Sequence, residues 1–246
     1  MMQQKTRMHP SVALKAALEL MAMLGDVVGR IEIAGSLRRC AETVGDIELV
    51  MSPRYLQQQG LFGAQGKPIN LLDQRFHEMF VMGIVKKRYK DNGSLISWPD
   101  SDARYRAMVY RGIPVDAFIV LPDRDWGPTM LIRTGPGAAN GVLVTREGVT
   151  NREGNVGILP HHLTMNEGSL WDGATRLHTP EERDVFHALE MCYIEPHLRS
   201  VEAYQRAAAR RAVYRSMGGA RGSVVSTMSE LHWRVRPAWE SMRRAA

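Results

Sequence analysis

The run Ile113–Leu121, IPVDAFIVL, constrains the fold more than any other segment. It is the most strongly apolar stretch of strand length in the chain and rich in β-branched residues, which predicts a strand buried in a sheet. Asp116 interrupts it. A carboxylate at the centre of so apolar a strand is expensive unless it is paired or bound to a metal. Two explanations stay open: an ion pair with an arginine such as Arg104 or Arg106, or a metal site built with other carboxylates.

Those carboxylates are found in Ile33–Val50, IAGSLRRCAETVGDIELV. Arg30–Ala34 alternates polar and apolar residues and predicts a strand, broken by Gly35 and Ser36. Leu37–Thr43 then has room for about two helical turns. A helix start carrying a glycine and a hydroxyl offers backbone N–H groups to phosphate, and Arg38 and Arg39 follow within a turn. Asp46–Met51 predicts a second strand, on which Asp46 and Glu48, two apart, share one face. Two like charges held close call for a cation between them, and a hard divalent ion such as Mg²⁺ suits oxygen ligands. Taken singly, Asp-x-Glu reads as an exposed strand face and Gly-Ser as a turn. In this order and spacing they compose a phosphate-plus-metal site.

Elsewhere, apolar residues at three- and four-residue steps predict helices over Pro10–Leu24 and Asn70–Met82. Strands are predicted at Ser94–Trp98, Arg104–Tyr110 and Thr129–Arg133, with loops at Pro53–Gly66 and a turn at Pro122–Trp126. The glycine-rich stretch Thr134–Gly173 reads as short strands and loops. Thr179-Pro180-Glu181-Glu182 supplies an N-cap, a first-turn proline and early acids for a helix over Glu181–Cys192, which Pro196 stops or kinks. Helices over Val201–Met217 and Ser226–Arg236 complete the chain. The class is α+β.

Charge is distributed unevenly. Residues 200–246 carry nine Arg, no Lys and three Glu, whereas the first 199 residues balance at 23 basic and 23 acidic side chains. All of the net +6 therefore sits in the last fifth of the chain, an expected footprint for a polyanion partner, with a solvated helical face as the alternative. Neither a transmembrane run nor a signal peptide is legible, and Cys40 and Cys192 have no metal spacing. The expected setting is a reducing cytoplasm, that of a bacterial or phage-infected cell included.

The segment Gly35, Ser36, Arg38, Arg39, Ala41, Glu42, Gly45, Asp46, Glu48 resembles the nucleotidyltransferase signature of the family X, polymerase beta-like DNA polymerases. Val115-Asp116 resembles that family's third catalytic aspartate, Thr134-Gly135 its turn along the nucleotide sugar, and Asn140 its base-contacting asparagine. Leu163–Glu167 and Glu182–Arg199 resemble the end of its last subdomain.

The resemblance implies a metal-dependent polymerase of the gap-filling type adding nucleotides to a DNA, or alternatively RNA, 3′ end. Asp46, Glu48 and Asp116 would hold two Mg²⁺, with Mn²⁺ as a substitute, and Asp116 would lie nearest the attacking hydroxyl. Ser36, Arg39 and the Gly45 backbone, beside Gly35, would hold phosphates, with Arg38 supporting the loop. Thr134, Gly135 and Asn140 would face sugar and base. A nucleotidyltransferase palm over residues 1–130, with a mixed sheet and helices on one face, would precede a smaller α/β subdomain over 131–199 and an Arg-rich helical tail over 200–246. A monomer is expected.

Departures from the pattern carry their own expectations. Glu48 replaces the second aspartate on a longer arm that must fold back. Ile132-Arg133 stands where the family places aromatic or Gly-aromatic residues, which puts deoxyribose preference in question. The family's cis bond after Thr-Gly falls here on Gly135-Pro136, where proline lowers its cost. About twenty residues around Val144–His162 are inserted, and the family's N-terminal lyase and helix-hairpin-helix domains have no counterpart, implying a minimal form without lyase activity. Two competing readings are a template-independent or RNA-directed nucleotidyltransferase on the same palm, and a weakly catalytic nucleic-acid-binding protein. His161-His162 lacks a third ligand, and Lys86–Lys90 reads equally as a backbone contact or as an exposed face.

Overall fold

The computed structural model describes residues 7–58, 66, 68–90, 92–96, 104–121 and 125–216. Contacts divide the chain into two units, Met1–Leu37 with Ala41–Asp123, and Arg38–Cys40 with Arg124–Ala246.

In the first unit, α1 (Pro10–Leu24) buries Ala13, Ala17, Leu20 and Leu24, the stripe expected from its spacing. β1 (Val28–Ile33) leads through α2 (Gly35–Arg38) to β2 (Ile47–Pro53). α2 is one turn, not the two anticipated, because Cys40 adopts a left-handed backbone (φ 56°) that ends it. The region expected as a loop from Pro53 holds a two-residue strand, β3 (Tyr55–Leu56), paired with β4 (Ile69–Asn70); residues 59–65 lie outside those described. α3 (Leu71–Val81) starts on Asn70, whose side chain accepts the N–H groups of Leu72 and Asp73, satisfying two of the donors a helix start leaves open.

β5 (Val85–Lys87), β6 (Tyr105–Tyr110) and β7 (Ile113–Ile119) complete a five-stranded mixed sheet in the order β1-β2-β7-β6-β5. All pairings are antiparallel except β2 with β7. One face carries Ile47, Leu49, Met51, Val115, Ala117 and Met108 against α1 and α3. Of the strand expected at Ser94–Trp98, Leu95 forms only an isolated bridge with Tyr89; residues 97 and 98 lie outside those described. The fold is α+β, as expected.

The second unit corrects two readings. Thr129–Arg133 lies inside helix α4 (Trp126–Thr134) and is not a strand: Trp126, Met130 and Thr134 are buried at helical steps, and of the turn expected at Pro122–Trp126, residues 122–124 lie outside those described. Gly137–Val144 is helix α5 within the stretch read as strands and loops; its two glycines lower helix propensity and mask the signal. Gly127 lets α4 run against the backbone near Glu181, because a Cβ there would lie 2.3 Å from the Glu181 carbonyl oxygen.

β8 (Leu163–Asn166), β9 (Ser169–Asp172) and β10 (Thr175–Arg176) form an antiparallel sheet in the order β10-β9-β8. α6 (Glu182–Ala188) starts on Glu181 rather than on Thr179, with the Glu181 N–H donating to the Asp184 carboxylate at 2.8 Å. It stops at Leu189, before the expected Cys192, since Glu190 is left-handed (φ 56°); Pro196 instead opens a 3₁₀ turn, Pro196–Leu198. The last helical region is two helices, α7 (Val201–Ala209) and α8 (Arg211–Ser216), and the helix expected at Ser226–Arg236 lies outside the described residues. Tyr204 of α7 is buried with Leu131, Val142, Leu163, Phe186 and Leu189 in this unit's core. Among the described residues no helix is long and apolar enough to cross a membrane.

Candidate active site

Alternation along β2 sorts its side chains. Ile47 and Leu49 are buried toward α1 and α3, whereas Glu48 is partly exposed on the other face. Asp46, also partly exposed, sits immediately before the strand. The parallel register makes Glu48 and Asp116 direct neighbours across β2 and β7. Both therefore leave the sheet on the face opposite the helices.

Gly35 explains where Glu48 goes. It has a left-handed backbone (φ 61°), and a Cβ on it would lie 1.5 Å from Glu48 Oε2. The Glu48 carboxylate thus occupies the space that a side chain at position 35 would fill, and the Ala34 N–H donates to the Glu48 carbonyl at 2.8 Å. The longer arm expected to fold back is accommodated over a glycine.

Asp116 is ion-paired, but not to the arginines anticipated. Its Oδ1 lies 2.6 Å from Arg88 Nη2 and accepts from the Tyr105 hydroxyl at 2.7 Å, while Arg88 also donates to that hydroxyl at 2.9 Å. Tyr105 stacks on Phe118, ring centroids 5.3 Å apart, which fixes its hydroxyl. Arg106 points to the helix side and pairs with Asp73 at 2.6 Å. Arg88 and Tyr105 escape a reading of the sequence because Lys86–Lys90 looks like a solvated basic run. The signal that reaches them is β5 pairing with β6, which brings this run beside β7.

Within the second unit the Thr134-Gly135 turn is gripped by both arginines of the Gly-Ser segment. Thr134 is fully buried; its Oγ1 accepts from Arg38 Nη1 at 2.7 Å and its carbonyl from Arg39 Nη1. The Gly135–Pro136 bond is cis, as the resemblance implies. Arg38 also pairs with Glu182, whose other oxygen accepts from Arg199 Nη1 at 2.7 Å. Burial opposes ionisation of Glu182, but Arg199 and Arg38 outweigh it and hold the carboxyl below its usual range. Asn140 donates from Nδ2 to the Ile132 carbonyl at 2.6 Å, tying α5 to α4, and its Oδ1 is buried without a hydrogen-bond partner among the described residues. Ser36 accepts the Ala41 N–H on its carbonyl at 3.1 Å; Ser36 and Gly45 are partly exposed. His161 and His162 are both exposed.

The kind of donor suits a hard divalent cation: oxygen ligands only, two of them on neighbouring strands in register and a third two residues along. Among the described residues no three His, Cys, Asp or Glu side chains converge on one point. Asp46, Glu48 and Asp116 share a region of the sheet, and Asp116 is turned to Arg88.

Residues 159–200 match the family model described as the DNA polymerase beta thumb. The match runs from Leu159 through β8, β9, β10 and α6 to the 3₁₀ turn, and includes Glu182 and Arg199. It supports a polymerase beta-like family. No curated protein matches the chain at a significant level.

Proposed function

We propose that this protein is a metal-dependent nucleotidyltransferase that extends a nucleic-acid 3′ end, acting as a small X-type DNA polymerase in gap filling. The observation that carries this reading is the register pairing of Glu48 with Asp116, two residues from Asp46, in a chain that also matches the polymerase beta thumb. Neighbouring carboxylates on one sheet face concentrate negative charge, and phosphoryl transfer needs such a charge to gather cations.

Asp46, Glu48 and Asp116 would hold two Mg²⁺, which when bound neutralise charge on the attacking and leaving oxygens. Asp116 lies nearest the primer's 3′ oxygen in this reading and takes its proton. That oxygen bonds to the α-phosphorus, the bond to the bridging oxygen breaks, and pyrophosphate departs. By the resemblance, Ser36 and the Gly45 N–H of the first unit are phosphate contacts, and of the second unit Arg39 is a phosphate contact and Thr134, Gly135 and Asn140 are sugar and base contacts. Arg38 and Glu182 keep Thr134 in place.

Extension of labelled primers, with and without template, using each deoxy- and ribonucleotide in Mg²⁺ or Mn²⁺, tests the proposal. Templated extension is expected. Extension without template would favour the template-independent reading, and no product under any condition would overturn enzymatic function. Ribonucleotide use is favoured by Ile132, which stands where the resemblance calls for an aromatic or Gly-aromatic residue and whose carbonyl is bound by Asn140.

A further inference from the structure

Arg88 reaches Asp116 across the sheet. Asp116 is the register partner of Ala107 on β6, and the last β5–β6 pair is Lys87 with Met108, so Arg88 comes next, beside Ala107. Ala107 offers only a methyl group at the position between them, and the Arg88 guanidinium lies 2.6 Å from the carboxylate. There one oxygen of Asp116 takes both the guanidinium and the Tyr105 hydroxyl, while Tyr105 is fixed by its stacking on Phe118.

We propose that Arg88 is an exchangeable counter-charge: it holds Asp116 while no cation is bound and releases it when a divalent cation takes the carboxylate. This rests on the reading of Asp116 as a metal ligand. Arg88 and Tyr105 both engage Oδ1, and a divalent cation on either oxygen of this carboxylate would stand within a few ångströms of the guanidinium and repel it strongly in a partly buried site. Access decides which ion pair can exchange. The Arg88 and Asp116 side chains keep 20% and 14% of their surface exposed, whereas the Arg199–Glu182 pair keeps 0% and 6%. The first pair opens to solvent; the second is locked in a core. Tyr105 stays behind as a neutral donor, keeping Asp116 oriented after Arg88 leaves.

The test is Mn²⁺ binding, read as loss of the free-ion EPR signal, for the full-length protein, Arg88→Met, Arg88→Lys and Asp116→Asn. Removing the competitor should tighten Mn²⁺ binding roughly tenfold in Arg88→Met. Arg88→Lys, which keeps the charge on a shorter reach, should fall between, and Asp116→Asn should lose Mn²⁺ binding. Circular dichroism of each variant reports folding, with Arg88→Lys standing in if Arg88→Met fails to fold. Unchanged or weaker binding in a folded Arg88 variant, with binding still lost in Asp116→Asn, would overturn the counter-charge role and leave the metal site standing. Absence of binding in the wild type and in both Arg88 variants would overturn the metal site, and this inference with it.

Discussion

Glu48 and Asp116 stand side by side as register partners in the parallel pairing of β2 with β7. Their neighbours along the two strands, Ile47, Leu49, Val115 and Ala117, are fully buried on the other face. The carboxylates therefore leave the two strands on the face away from the α1 and α3 packing, a face on which Val50 and Phe118 are also buried. Asp46→Ala, Glu48→Ala and Asp116→Ala should each abolish nucleotide addition while the melting temperature stays within a few degrees. Any variant retaining activity within about tenfold, or ~1.4 kcal/mol of barrier, would not have lost a metal ligand.

Gly35→Ala should be more harmful than its size suggests. It places a Cβ where Glu48 Oε2 now lies and forces an L side chain to φ 61°. The backbone cost alone is about 1–2 kcal/mol, and the displaced Glu48 should lower kcat at least tenfold. Urea melts and single-turnover rates on the same preparation separate the two effects. Unchanged turnover would show that the position of Glu48 over Gly35 is unimportant.

Glu182→Gln should destabilise the protein by about 3–5 kcal/mol, because it removes the carboxylate that the buried Arg199 and the partly buried Arg38 share. The pH dependence follows from the direction of the shift. A carboxyl whose folded pKa is depressed contributes stability that is fully present above its ordinary value near 4.5 and is lost as pH falls through the folded value. Wild-type stability should thus decline below about pH 4.5 more steeply than that of the Gln variant. Parallel curves would remove Glu182 from the acid transition.

Truncation after Ser216 removes five Arg and two Glu. It should weaken DNA binding and flatten the salt dependence, by up to about 0.9 in slope for each phosphate that the protein no longer neutralises. An unchanged slope would mean that these residues serve packing or self-association. Cutting at residue 200 is a different experiment, because it also removes the buried Tyr204 and Arg211.

Discrimination between matched deoxy- and ribonucleotides, measured as a ratio of kcat/KM, should be weaker than that of a strict DNA polymerase. A ratio above about a thousandfold, some 4 kcal/mol, would exclude a permissive sugar pocket around Ile132.

Long periodic elements are legible in this chain and short ones are not. α1 reads from end to end, because its apolar positions repeat at helical steps behind a proline start. The β2 and β7 strands read well, since both bury strongly apolar runs. α4 is lost because Thr129–Arg133 is a short apolar run that fits either period, and α5 because glycine weakens its pattern. At the site, the face shared by Glu48 and Asp116 depends on a parallel register that no local pattern encodes. The same holds for Arg88: its partner is set by strand order, 28 positions away, and a basic run gives no hint of which cation turns inward.

The parallel pairing also sets a timetable for synthesis. β2 waits for a partner whose Asp116 follows Glu48 by nearly seventy residues, about 3–14 s at roughly 5–20 residues per second on the ribosome. During that interval the apolar β2 segment has β1 on one edge and nothing yet on the other, which is when a growing chain most needs chaperone cover. No fragment released before β7 emerges can hold the acidic pair, so an interrupted translation product should be inert and sticky rather than partly active.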